Sequence, residues 1–173
     1  MLANPAWLRT TTILADVNIP PEVPRTNWPA AKPTLEPLLA QAGVVITTEE
    51  LGALYFLGRY DVRYSPSKME ELTPDQQHEF GIDHRTGRPV IATPASLELL
   101  MDCYSSGVVL GPIEDWGKSY KISDTLARII TERAQPVDLP PRTRLFAYAW
   151  ERPAGAPRPA GCADLPPIAT ARP

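Results

Sequence analysis

Cysteine and histidine are scarce in this chain, which has two of each among 173 residues. Cys103 and Cys162 are too few and too far apart for a disulfide framework or a zinc knuckle, so the sequence predicts reduced thiols. Both histidines, His78 and His84, lie in one short acidic segment, which leaves histidine-based catalysis one place to occur. A nucleophilic pair would have to join Cys103 to His84. The amphipathic helix predicted around Cys103 favours a buried thiol instead.

Long apolar runs are also missing. Nowhere do about 18 apolar residues follow one another, so we expect no membrane partner. Residues 1–12 have neither the basic start nor the apolar stretch of a secretory signal, and no repeat of about 20 to 50 residues suggests a solenoid. These absences predict a cytoplasmic protein, and no motif indicates a cofactor.

Excess positive charge, the usual mark of a nucleic-acid module, is lacking as well. Residues 38–135 carry 9 basic and 14 acidic side chains, whereas residues 136–173 carry 5 and 3. An acidic body repels a phosphate backbone, which makes a nucleic-acid partner unlikely. That alternative would depend on four arginines near the C-terminus: Arg142, Arg144, Arg152 and Arg158.

Proline is abundant, but its 21 copies are unevenly placed. Seven fall in residues 1–37, nine in residues 136–173 and five in the 98 residues between. Proline is excluded from helix interiors and central strands because its ring fixes φ and removes an amide donor. We therefore predict a proline-rich N-terminal arm with one possible strand (1–33), a globular domain (34–151) and a tail rich in Pro, Ala, Gly and Arg (152–173).

The central pattern mixes short helices with short strands and predicts a small α+β domain with extended arms. Leu51, Leu54 and Tyr55 share one side of a helix, and Leu126, Ile129 and Ile130 share one side of another. Residues 82–91 have the order of a hairpin with a glycine in its turn. Thr34 is expected to cap the first helix, and Thr93 followed by Pro94 a later one.

Three of the four tryptophans lie outside or at the edge of the proline-poor domain, and one alternating strand there is rich in aromatic residues. Leu145, Ala147 and Ala149 should face one way along this strand, and the aromatic residues between them the other. Large aromatic residues and arginine dominate the centres of protein interfaces, and their competing role is core packing. We predict partner contacts by an edge strand and the arms, through Trp7, Trp28, Phe146, Tyr148, Trp150 and Arg152.

An acidic segment with both histidines is the alternative site. Carboxylates and imidazoles are ligands for zinc, manganese or iron, although a predicted turn separates these residues. No metal is expected, and the candidates for one are Asp75, His78, Glu79, Asp83 and His84.

The function expected from these patterns is that of a non-catalytic adaptor or subunit. Such a protein would dock on another protein or on a symmetry mate through its arms and the aromatic edge strand. The first alternative is a small hydrolase, with or without metal, that uses residues 75–84. The second is a nucleic-acid-associated protein that uses the C-terminal arginines.

Overall fold

Seven strands form one mixed sheet in the computed structural model, which describes residues 25–72 and 79–168. The sheet order is β3-β4-β2-β1-β5-β7-β6. The strands are β1 (Val44–Thr47), β2 (Val62–Tyr64), β3 (Gly81–Asp83), β4 (Arg88–Ile91), β5 (Ser106–Pro112), β6 (Gln135–Pro136) and β7 (Leu145–Glu151).

The middle of the sheet is parallel and its margins are antiparallel. Strand β1 pairs in parallel with β2 and with β5, and β2 pairs in parallel with β4. Strands β3, β7 and β6 add antiparallel partners at the two sides. All four residues of β1 are buried, as expected for a parallel strand covered on both faces.

Short helices cover both faces, so the predicted α+β class is confirmed. They are α1 (Trp28–Gln41), α2 (Glu50–Gly52, continued by a π-helical turn Ala53–Leu57), α3 (Pro66–Glu70), α4 (Pro94–Cys103) and α5 (Asp124–Arg133). Helices α4 and α5 share one core with Phe146 and Trp150, and α1 and the π-helical turn share the other with Leu145 and Ala147.

Strand β7 has the alternation predicted from its sequence. Phe146 and Trp150 face the α4/α5 side, and Leu145 and Ala147 face the α1/α2 side. The prediction that β7 is an edge strand is wrong, because β6 pairs with it at Ala149 and Tyr148. A two-residue strand that ends in proline is too short to produce a strand pattern in the sequence.

The first helix begins earlier than predicted. Asn27, not Thr34, is its cap, and the Asn27 side chain accepts a hydrogen bond from the Ala30 amide at 3.2 Å. Pro33 and Pro37 lie inside the helix, one turn apart on its exposed side. Carbonyls left without an amide donor there face water, which explains why two prolines are tolerated.

Two other local predictions are confirmed. Strands β3 and β4 form the hairpin, and Gly87 in its turn has a φ of +66°, a left-handed value that favours glycine. Thr93 caps α4 by accepting a hydrogen bond from the Ser96 amide at 3.1 Å, and Pro94 is the first helical residue.

The tail is joined covalently to the domain. Cys103, at the end of α4, and Cys162, in a short 3-10 turn (Ala160–Asp164), form a disulfide with Cα atoms 5.3 Å apart. The prediction of reduced thiols is therefore wrong. Sequence separation hid the pair, because the fold brings together two cysteines that lie 59 positions apart.

Candidate functional site

The predicted aromatic contact residues lie largely inside the molecule. Trp28 and Trp150 are each 4% exposed and Phe146 is 5% exposed, so the structure uses their side chains in its own two cores. Tyr148 is half-buried and stacks on Trp116 with ring centroids 5.2 Å apart. Trp7 lies outside the described residues. The role of these residues in partner binding stays a prediction.

Arg152, the last predicted contact residue, helps to attach the tail. Its amide donates to the Ser105 carbonyl at 2.7 Å, and its guanidinium donates to the Pro157 carbonyl at 2.9 Å. Arg158 reinforces this attachment, since its guanidinium donates twice to the Cys103 carbonyl, at 2.7 and 3.1 Å. Both arginines thus make hydrogen bonds within the chain.

The candidate metal residues are only partly described. Asp75 and His78 lie outside the described residues, and Glu79 and His84 are exposed at either end of β3. Within residues 25–72 and 79–168, no three histidine, cysteine or acidic side chains group in a way that could hold a metal ion. The hydrolase alternative stays a prediction, as does a metal site that includes Asp75 or His78.

Asp83 belongs to an ion-pair cluster with arginines. The Arg63 guanidinium lies 2.7 Å from a Glu50 carboxylate oxygen and 3.8 Å from Asp83, and Arg85 lies 3.0 Å and 3.4 Å from the same two carboxylates. Burial acts to raise the pKa of Asp83, but hydrogen bonds and charge from Arg85 outweigh it, so the pKa is lowered. The carboxylate is stabilised in its charged form by arginine.

A second charged group, formed by Lys121 and Asp115, lies at the carboxyl ends of β1 and β5. The chain leaves β1 through α2 on one face of the sheet and reaches β5 through α4 on the other face. Open α/β sheets bind ligands at the carboxyl ends of two neighbouring strands whose connections diverge in this way. Here the Lys121 ammonium donates to the Thr48 carbonyl at 3.3 Å and lies 3.7 Å from an Asp115 oxygen. Lys121 therefore occupies this position, and its hydrogen bond to Thr48 joins the loop after β5 to the end of β1.

Tyr64 is a buried titratable residue whose side chain stays in its neutral form. Its hydroxyl donates to the Ala92 carbonyl at 2.9 Å, and its side chain packs in the α4/α5-side core. Loss of hydration raises the pKa of Tyr64 to about 12. The phenol stays protonated near neutral pH.

The apolar side of α2 that the spacing predicts is exposed at the surface of the molecule. Leu51, Leu54 and Tyr55, which we call the α2 face, are 71%, 44% and 83% exposed. Their spacing predicts one apolar side of a helix, and such a side normally packs inward. The small residues Gly52 and Ala53 are buried in their place.

Close approach of Trp28 explains this orientation. A Cβ atom built on Gly52 would lie 2.3 Å from the Trp28 Nε1 atom, so only glycine allows the indole to rest against α2. Glu49 fixes the start of the helix because its carboxylate accepts hydrogen bonds from the Leu51 and Gly52 amides at 3.0 and 2.7 Å. Gly52, three residues after the acidic cap Glu49, is the signal in the sequence that could have located this contact.

Comparisons with known proteins assign no function to this surface. The chain matches no family model, no curated protein and no solved structure. Among the described residues, no helix has the length and apolar character needed to cross a membrane.

Proposed function

We propose that this protein is a non-catalytic binding subunit that docks on another protein through the α2 face. The observation that supports this function is the exposure of Leu51 and Tyr55 on a helix whose opposite side is packed in the core. Burial of one large apolar side chain contributes about 1.5–3 kcal/mol. Leu51 and Tyr55 do not gain this free energy while they are exposed to water. Docking would recover that free energy.

The α2 face has the properties of an interface centre rather than those of a mobile loop. The Tyr55 ring meets the Phe56 ring edge to face at 4.8 Å, and Phe56 packs against the α1/α2-side core. Trp28 and the Glu49 cap hold the first turn. Pre-organised tyrosine and leucine side chains lose little conformational entropy on docking, which favours affinity.

The edge-strand part of the expected function changes with the structure. Strand β7 has neighbours on both sides, and its largest aromatic side chains lie in the core. We therefore centre the partner contact on the α2 face. Contact by the predicted arms remains part of the same proposal, because helix α1 connects the N-terminal residues to α2 through Trp28.

Site-specific photo-crosslinking tests the proposal in cells that make the protein. A p-benzoyl-phenylalanine side chain replaces Tyr55 in one variant and Tyr120, which is 56% exposed in the loop between β5 and α5, in the control. We expect a discrete protein adduct from position 55 that position 120 does not form. Equal adducts from both positions, or none from position 55, would contradict docking at the α2 face.

The compartment is proposed on the basis of the disulfide. Glutathione and thioredoxin keep thiols reduced in most cytosols, whereas structural disulfides persist in oxidising compartments. The bond between Cys103 and Cys162 therefore favours an oxidising compartment over the cytoplasm. Alkylation of the protein at the moment of cell lysis tests this; two thiols that react without reductant would point to the cytoplasm.

A further inference from the structure

Helix α2, which carries the α2 face, contacts the first residue of α1, close to the point at which the N-terminal residues enter the described fold. Trp28 is the first residue of α1, and its indole rests on Gly52, the neighbour of Leu51. The amide of Asn27 donates to the Thr143 carbonyl at 2.8 Å, which fixes where the chain enters the helix. Only Arg25 and Thr26 separate this fixed point from residue 24.

Residues 1–24, which we call the leading segment, are long enough to reach the α2 face. An extended chain spans up to about 3.4 Å per residue, so a few residues suffice to pass from Asn27 to Leu51 and Tyr55. The segment is also apolar enough to cover that face, with only three charged residues. Its large apolar residues are Met1, Leu2, Trp7, Leu8, Ile13, Leu14, Val17, Ile19 and Val23.

We infer that the leading segment docks on the α2 face of its own chain and competes there with the partner. This inference rests on the proposed function for the identity of the competing ligand. The tether is short, and a short tether raises the local concentration of the segment at the face to the millimolar range. A partner must therefore displace the segment before it binds Leu51 and Tyr55.

Own-chain docking is favoured over exchange with a second copy for the same reason. At micromolar protein, a second copy supplies the segment at a concentration about a thousandfold lower than the tether does. Exchange between copies would prevail only if the tether could not span the distance. The contact between Trp28 and Gly52 places the start of the tether against α2, the helix that carries the face.

Photo-crosslinking within the purified full chain tests where the segment lies. The variant with p-benzoyl-phenylalanine in place of Tyr55 is prepared with nitrogen-14 and with nitrogen-15, mixed in equal parts and irradiated. Trypsin then separates the segment after Arg9 and Arg25. We expect adducts between position 55 and residues 1–24 in which both peptides carry the same isotope.

Two results would overturn own-chain docking. Adducts that pair nitrogen-14 with nitrogen-15 would assign the face to a second copy. No adduct to residues 1–24, or an equal adduct from the control position Tyr120, would show that the segment lies elsewhere. Either result leaves the proposed function standing if position 55 still forms an adduct with another protein in cells.

Competition is tested by weakening the segment without touching the folded domain. A Trp7→Ser, Leu8→Ser variant of the full chain removes two large apolar side chains from the leading segment. The partner adduct at position 55 should then form in several-fold higher yield. An unchanged or lower yield would refute competition, even if the isotope experiment places the segment on the face.

Discussion

Helices α5 and α2 have the same spacing of large apolar residues and lie on opposite sides of the sheet. These residues face the core in α5 but face the solvent in α2. In α5 Leu126 and Ile130 are fully buried and Ile129 is nearly so, whereas in α2 the equivalent residues are the exposed α2 face. What differs is the opposite side of each helix. Helix α5 has polar residues there, but α2 has Gly52, Ala53 and Leu57, which are buried, and Gly52 allows closer contact with Trp28 than a larger residue would.

This comparison shows that periodicity identifies an apolar side but not its direction. A helix with apolar residues on two sides can bury either of them. The side that is not buried is then available for contact with another segment or chain. On the α4/α5 side both helices bury their large residues, and the tail adds Leu165 and Ile168 to that core.

The largest predicted effect separates the two helices directly. Leu126→Ala should lower the free energy of unfolding by about 2–5 kcal/mol, because the surrounding core cannot close the cavity. Leu51→Ala should cost less than about 1 kcal/mol, since at most a docked segment covers Leu51. Urea denaturation of both variants provides the comparison. If Leu51→Ala cost as much as Leu126→Ala, the α2 face would be part of the core in solution.

The next effect tests the covalent link on the α4/α5 side. Replacing Cys103 and Cys162 with serine should lower the free energy of unfolding by about 2–4 kcal/mol, because the bond closes a long loop in the unfolded chain. The wild type should lose a similar amount in reductant, and the double variant should lose nothing further. Wild type that unfolds identically with and without reductant would show that the tail is not linked.

A smaller effect tests the contact that orients α2. Gly52→Ala would place a Cβ atom against the Trp28 indole and against the Glu49 carboxylate, and should cost about 1–3 kcal/mol in unfolding free energy. Gly161→Ala is the matched control, since its nearest contact, a Leu99 methyl group, lies at an ordinary 3.5 Å. Equal stabilities of the two alanine variants in urea would mean that Trp28 does not hold α2 in place.

Local patterns were sufficient to predict much of the fold. The alternation of β7, the hairpin with Gly87 and the cap at Thr93 each depend on neighbouring residues, and all three are present. Burial of the α5 apolar side also followed from its spacing. These features need no information about distant parts of the chain.

Features that depend on distant contacts were not predicted. The orientation of α2 depends on its contact with Trp28. The density of prolines around Trp28 predicts an extended arm there rather than a helix. The disulfide required knowledge that the tail returns to α4. Trp28 lies in α1 rather than in an extended arm because the prolines of α1 lie on its exposed side, where they do not prevent the helix from packing. The disulfide depends on a separate contact, that of the tail with α4.

The smallest predicted effect concerns the ion-pair cluster that links α2 to the β3–β4 hairpin. Arg85 lowers the pKa of Asp83 more than burial raises it, so the folded protein binds this proton less tightly than the unfolded chain does. The contribution of Asp83 to stability is therefore fully present above about pH 4, the ordinary value for aspartate, and is lost as pH falls through the lower folded-state pKa. Asp83→Asn should flatten this acid limb when unfolding is followed in urea from pH 7 to pH 3. Parallel limbs in the two proteins would show that Arg63 and Arg85 do not stabilise the charged carboxylate. The ion-pair cluster would then contribute little to the attachment of α2 to the hairpin.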